Sequence, residues 1–118
     1  VGLSSVTITT SEVIAAGAFV NVHNSTGSKV RNASCSTGRE AHGYTLLGAA
    51  SAAPCVVYLG GSNTAVSSKT PGAQQFLSTA GASTETAPTT STYIVQRVGV
   101  ALSATSISFE PQPPITLA

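Results

Sequence analysis

Aspartate, methionine and tryptophan are absent from this chain, and only 8% of its 118 residues carry a charge. Five Lys and Arg against four Glu leave a net charge near +1. So weak a field gives no footprint for a polyanion or an anionic bilayer, which sets nucleic acid and membrane surfaces aside as partners. No run approaches the roughly 18 consecutive apolar residues that a membrane helix requires. No basic segment precedes an apolar stretch near residue 1 either, so neither a span nor a signal peptide is expected. Cysteine is scarce: Cys35 lies in the polar run 32–38 and Cys55 opens the apolar run 55–59. A bridge would tie a loop to a core strand, whereas free thiols would leave Cys55 as a small buried hydrophobe. The glycosylation acceptor pattern occurs at Asn24-Ser25-Thr26 and Asn32-Ala33-Ser34. In a chain so rich in Ser and Thr, chance alone supplies such matches.

What the chain does hold is Ser, Thr, Ala, Gly and Val, with a hydrophobic fraction of 42%. Small β-formers at that hydrophobicity describe a folded all-β domain rather than a disordered one. Residues 1–118 are expected to make a single domain, with extended segments at 1–10 and 111–118. Val6 and Ile8 alternate with Thr7 and Thr9 as an inward-facing pair. In "AFVNVHN", Phe19, Asn21 and His23 oppose Val20 and Val22, and a loop containing Gly27 turns the chain back through Val30. Apolar runs follow at 44–50 and 55–59, and Pro71-Gly72 marks a turn before Phe76 and Leu77. Ile94, Val98, Val100 and Leu102 share one face of a further strand, which the run Ser103–Ser106 turns into a return strand carrying Ile107 and Phe109. The expected fold is all-β: a small β-sandwich or β-barrel of about 7–9 short antiparallel strands with little or no helix. Only 39–53 competes as a helix, and Gly43 and Gly48 each weaken it by roughly 1 kcal/mol.

Chemistry-bearing residues are few. The bases are His23 and His42, the acids Glu12, Glu40, Glu85 and Glu110, and no G-x-S-x-G elbow is present. Glu40 and His42 would share one side of a strand as half of a metal site, but zinc takes three or four ligands and only Cys35 and a distant His23 remain. No catalytic residue, cofactor or metal is therefore expected. The aromatics Phe19, Tyr44, Tyr58, Phe76, Tyr93 and Phe109 sit inside apolar runs, which favours core packing over a sugar-stacking platform. After Glu110 the prolines 111, 113 and 114 remove ladder donors and hold the backbone extended.

The segments "REAHGYTLLGAA", "VVYLGGSNTAVSSKTPGAQQFLSTAG" and "IVQRVGVALSATSISFEPQPPITLA" resemble a small β-rich domain of tailed bacteriophages, found as capsid decoration (cement) proteins and in head-fibre modules. The likeness runs over about residues 6–118. It implies a structural virion protein that binds the outside of the head and stabilises it, assembled in the host cytoplasm, with the major capsid protein as partner. It also implies a homo-oligomer, a trimer ahead of a dimer, and neither catalysis nor cofactor. A domain this short without a shaft favours decoration over the alternative, a receptor- or carbohydrate-binding fibre tip. An unrelated secreted β domain is the third reading. The candidate interaction residues are Val1 and Leu3, where a strand would add to a neighbour's sheet edge, and Pro113, Pro114, Ile115 and Leu117 in the preordered proline segment.

Overall fold

The computed structural model describes residues 5–117, so Val1 and Leu3 lie outside the described residues. Among the described residues twelve strands form: β1 (Ser5–Thr9), β2 (Phe19–Asn24), β3 (Ser28–Asn32), β4 (Gly43–Tyr44), β5 (Pro54–Tyr58), β6 (Ser62–Asn63), β7 (Gln74–Leu77), β8 (Ser83–Thr84), β9 (Ile94–Val95), β10 (Arg97–Ser103), β11 (Ser106–Phe109) and β12 (Ile115–Thr116). Seven have four or more residues and the other five have two each. No helix occurs among the described residues. The fold is a small all-β one of antiparallel ladders.

The first sheet runs β1-β5-β4-β2-β3, and a parallel bridge from Thr10 to Val30 brings its two edges together. That curl gives it an inside and an outside. Ile14, Val20, Val30, Cys55 and Val57 fill the inside, with Ile8 packed against them. The outer face meets the second sheet, β6-β11-β10-β7-β8, over Phe19, Tyr44, Leu77, Ile94, Val98, Ile107 and Phe109. Phe19 stacks on Phe109 at 5.8 Å between centroids while Tyr44 meets Phe109 edge-on at 5.2 Å. Thus Phe19 and Val20 are both buried, each on its own side of the sheet.

Local chemistry explains the turns. The β2–β3 hairpin closes over Ser25-Thr26-Gly27 with Gly27 at φ 102°. Pro71 and Gly72 occupy the central positions of a turn closed by Ala73 N–H donating to Thr70 O at 3.0 Å, and Gly72 adopts the positive φ of 84° that a type II turn demands. The segment 39–53 cannot be helical because Gly43 is pressed against β5. A Cβ there would sit 2.6 Å from Val57 Cγ1 and 2.7 Å from Tyr58 O. The apolar run 44–50 is not a continuous strand either: it turns after Tyr44 and leaves Leu47 89% exposed.

One expected face is inverted. Along β10 the residues Val98, Gly99 and Ala101 are buried, and Leu102 is 57% exposed instead of sharing the inward face of Val98. The cause is a bulge. Arg97 pairs with Phe76 and Gly99 with Gln75, so two steps on β10 oppose one on β7, and every side chain beyond flips to the other side. Phe76 itself is half-buried and stands outside the aromatic core. Cys35 and Cys55 are free and buried in different clusters, one on each side of the first sheet.

Candidate functional site

The proline segment lies against its own domain. Its entry is fixed by Glu110 N–H donating to Val98 O (2.9 Å) and Gln112 N–H donating to Arg97 O (3.0 Å). Pro113 and Pro114 then carry the chain to β12, where Ile115 pairs with Val95 and Thr116 with Ile94. Leu117 N–H donates to Tyr93 O at 2.8 Å, and Leu117 O accepts from Thr92 N–H at 3.0 Å. Because β12 is two residues long and joins only β9, it forms a short sheet edge. Ile115 points away from the domain, 67% exposed, while Leu117 is half-buried.

Between this segment and the residues preceding β4 lies an open cleft of about 380 Å³, lined by Glu40, His42, Gln96, Gln112, Pro113 and Pro114. Glu40 and His42 alternate around buried Ala41, so both reach the cleft side, as their spacing requires. Glu40 Oε1 and His42 Nε2 are 3.8 Å apart. His42 Nδ1 accepts the Val22 N–H at 2.9 Å, so in the neutral ring the hydrogen resides on Nε2, toward Glu40. No group of three His, Cys, Asp or Glu converges among the described residues. Cys35 is buried in the aromatic core, its thiol pushed up in pKa by burial, and His23 bonds Ser11 instead.

The cleft floor is a residue that sequence reasoning passed over. Gln96 is 1% exposed and spends both ends of its amide on Ala41, through Ala41 N–H to Oε1 at 2.7 Å and Nε2–H to Ala41 O at 3.1 Å. A polar residue interrupting the apolar alternation of "IVQRV" is the signal that could have found it. No protein-family model matches the chain, and neither a curated protein nor a solved structure is significantly similar to it.

A second cleft, of about 270 Å³, opens between the two sheets and is walled mainly by Ala and Gly. Its one cationic group, Lys69, already donates from Nζ to Ser83 O at 3.2 Å. Gly17 is obligatory on this wall, since its φ is +79° and a side chain would overlap the carbonyl of Ala65.

Taken together, these surfaces suit docking. They offer an ordered extended strand, an outward isoleucine, and a cleft with a few fixed polar groups.

Proposed function

We propose that this chain is a structural virion protein that decorates a bacteriophage head, gripping the outer face of the coat and stabilising it. The observation that carries the reading is the display of the 111–117 segment: its backbone is held by hydrogen bonds, yet Ile115 faces solvent. A side chain on an already ordered strand loses little entropy when a partner covers it. A protein that binds the assembled shell better than its free subunits shifts the equilibrium toward the shell, and many repeated copies allow each contact to be weak. Such a partner needs apolar and backbone contacts more than charge, in keeping with a chain of nine Lys, Arg and Glu in total (five basic plus four acidic). On this reading the major capsid protein is the partner, and a trimer or dimer of the chain is the form that binds.

The experiment is co-sedimentation of purified protein with undecorated heads, comparing the full chain with one lacking residues 113–118. Loss of occupancy on deletion is expected; equal occupancy would remove this segment from the account.

The cleft beside the segment favours a second reading. Glu40, His42 and Gln112 set polar groups beside two proline rings, an arrangement suited to a glycan on a fibre tip. Binding to host-cell glycans with only a few copies per particle would support it over decoration.

A further inference from the structure

β4 is two residues long and begins at Gly43, while β2 beside it has six residues. Val20 pairs with Gly43, and Val20 O accepts the His42 N–H at 2.8 Å, so the backbone groups of residues 20 and 22 face this side of the sheet. The next rung of the ladder belongs to the Val22 N–H, which needs an acceptor. The carbonyls ahead of β4 are engaged elsewhere. Glu40 O accepts Asn21 Nδ2 at 2.9 Å, and Ala41 O accepts Gln96 Nε2 at 3.1 Å. The imidazole of His42 supplies the acceptor instead, with Nδ1 lying 2.9 Å from Val22 N. A side chain thus adds one rung where the strand has stopped.

That rung depends on the charge of the ring. A neutral imidazole carries one hydrogen, here on Nε2, and keeps a lone pair on Nδ1; an imidazolium carries a hydrogen on both nitrogens and accepts nothing. On protonation the Nδ1–H and the Val22 N–H become two donors aimed at each other across 2.9 Å. The ring has somewhere to turn. Its side chain is 40% exposed on the wall of the 380 Å³ cleft, and Glu40 Oε1 is already 3.8 Å from Nε2. The other charged or titratable groups of the surrounding segments have different partners or make no hydrogen bond to the ring. On β2, His23 bonds Ser11 Oγ at 2.8 Å, and on β3 Arg31 donates from Nε to Asn21 Oδ1 at 3.0 Å. At the entry to the proline segment, Glu110 Oε2 accepts from Ser108 Oγ at 3.1 Å. Neither Arg39 nor Arg97 makes a side-chain hydrogen bond with His42 among the described residues. Between His42 and Glu40, Ala41 stays clamped by Gln96, an amide that does not titrate.

We propose that His42 is a pH-sensitive latch: neutral, it extends the β2 ladder and fixes one wall of the cleft; protonated, it releases Val22 and turns toward Glu40, reshaping the wall opposite Pro113 and Pro114. Imidazole is the side-chain type that ordinarily changes charge between pH 5 and 8, which sets the range to search. The latch is a property of the fold and does not rest on head binding.

The test is NMR of the full chain between pH 8 and pH 5. At pH 8 the nitrogen shifts of His42 are expected to show the hydrogen on Nε2 and a lone pair on Nδ1. On acidification the Val22 amide signal should move together with the His42 ring signals, and its protection from hydrogen exchange should fall about fivefold. His42→Asn places Oδ1 on the γ-carbon where histidine carries Nδ1, so the acceptor survives and the charge does not. In that variant Val22 should keep its protection across the range. Since Val22 adjoins His23 in the chain, His23→Asn is the second variant, and the Val22 response should persist in it. A hydrogen on Nδ1 at pH 8 would overturn the latch. So would a Val22 amide that stays still while the His42 ring takes up its proton, a response that survives in His42→Asn, or one that vanishes in His23→Asn.

Discussion

Gln96 and Ala41 are joined at both backbone polar groups of the alanine, at 2.7 and 3.1 Å, and both residues are buried. The side-chain amide therefore does the work of a strand partner, tying the residues before β4 to the start of β10 across the two sheets. Replacing Gln96 with leucine would keep the volume and strand a buried donor and acceptor on Ala41. The expected loss is about 2–4 kcal/mol, read from urea unfolding. Gln112→Ala, on the exposed wall of the same cleft, is expected to change stability by less than about 0.5 kcal/mol.

The β10 bulge turns on Gly99. Its φ is 155° and a Cβ would overlap the carbonyl oxygen of Ser108 on β11. Gly99→Ala should therefore cost about 3 kcal/mol or more, because either the ladder to β11 or the bulge must give way. Gly72→Ala has open space around it and suffers only from its φ of 84°, so about 1 kcal/mol is expected. Unfolding midpoints of the two variants rank the sites.

Stability should fall on acidification. For Glu12, burial raises the pKa, but the two hydrogen bonds from Asn32 and the charges of Arg39 and Arg31 outweigh it and leave it below its ordinary 4.5. Glu85 is lowered by the Thr70 backbone and hydroxyl hydrogen bonds, then by Gln75 and Lys69. His23 is lowered by burial and by Arg31 and Arg39, against Glu12. In all three the folded state binds its proton less readily than the unfolded chain. Their stabilisation is whole above the unfolded values and is lost as pH falls, first below about 6.5 for the histidine and then below about 4.5 for the glutamates. Urea midpoints between pH 8 and pH 3 check the direction, and Glu12→Gln should flatten the lower part of the curve.

Much of this fold is legible in the residues themselves. Pro71-Gly72, the Gly27 hairpin and the Ile107–Phe109 alternation are local, so the chemistry of a few neighbours decides them. The β10 bulge was not legible, since one inserted residue exchanges the faces and no periodicity rule marks where it falls. Nor was the clamp between Gln96 and Ala41, whose partners are 55 residues apart. The proline segment was recognisable as extended from composition, but its pairing with β9 depends on tertiary contacts.

Both cysteines are buried and unbridged, 3% and 1% exposed. A thiol reagent should therefore find almost nothing in the native protein and two thiols after denaturation. Finding no thiol in denaturant would reveal a Cys35–Cys55 bridge, the outcome expected of the secreted reading.

The central claim, adhesion to a shell through repeated weak contacts, is tested most directly by counting copies of the chain in purified particles by quantitative mass spectrometry against the major coat protein. Decoration predicts a copy number in fixed ratio to the coat protein across the whole head. A handful of copies per particle, or none, would contradict it.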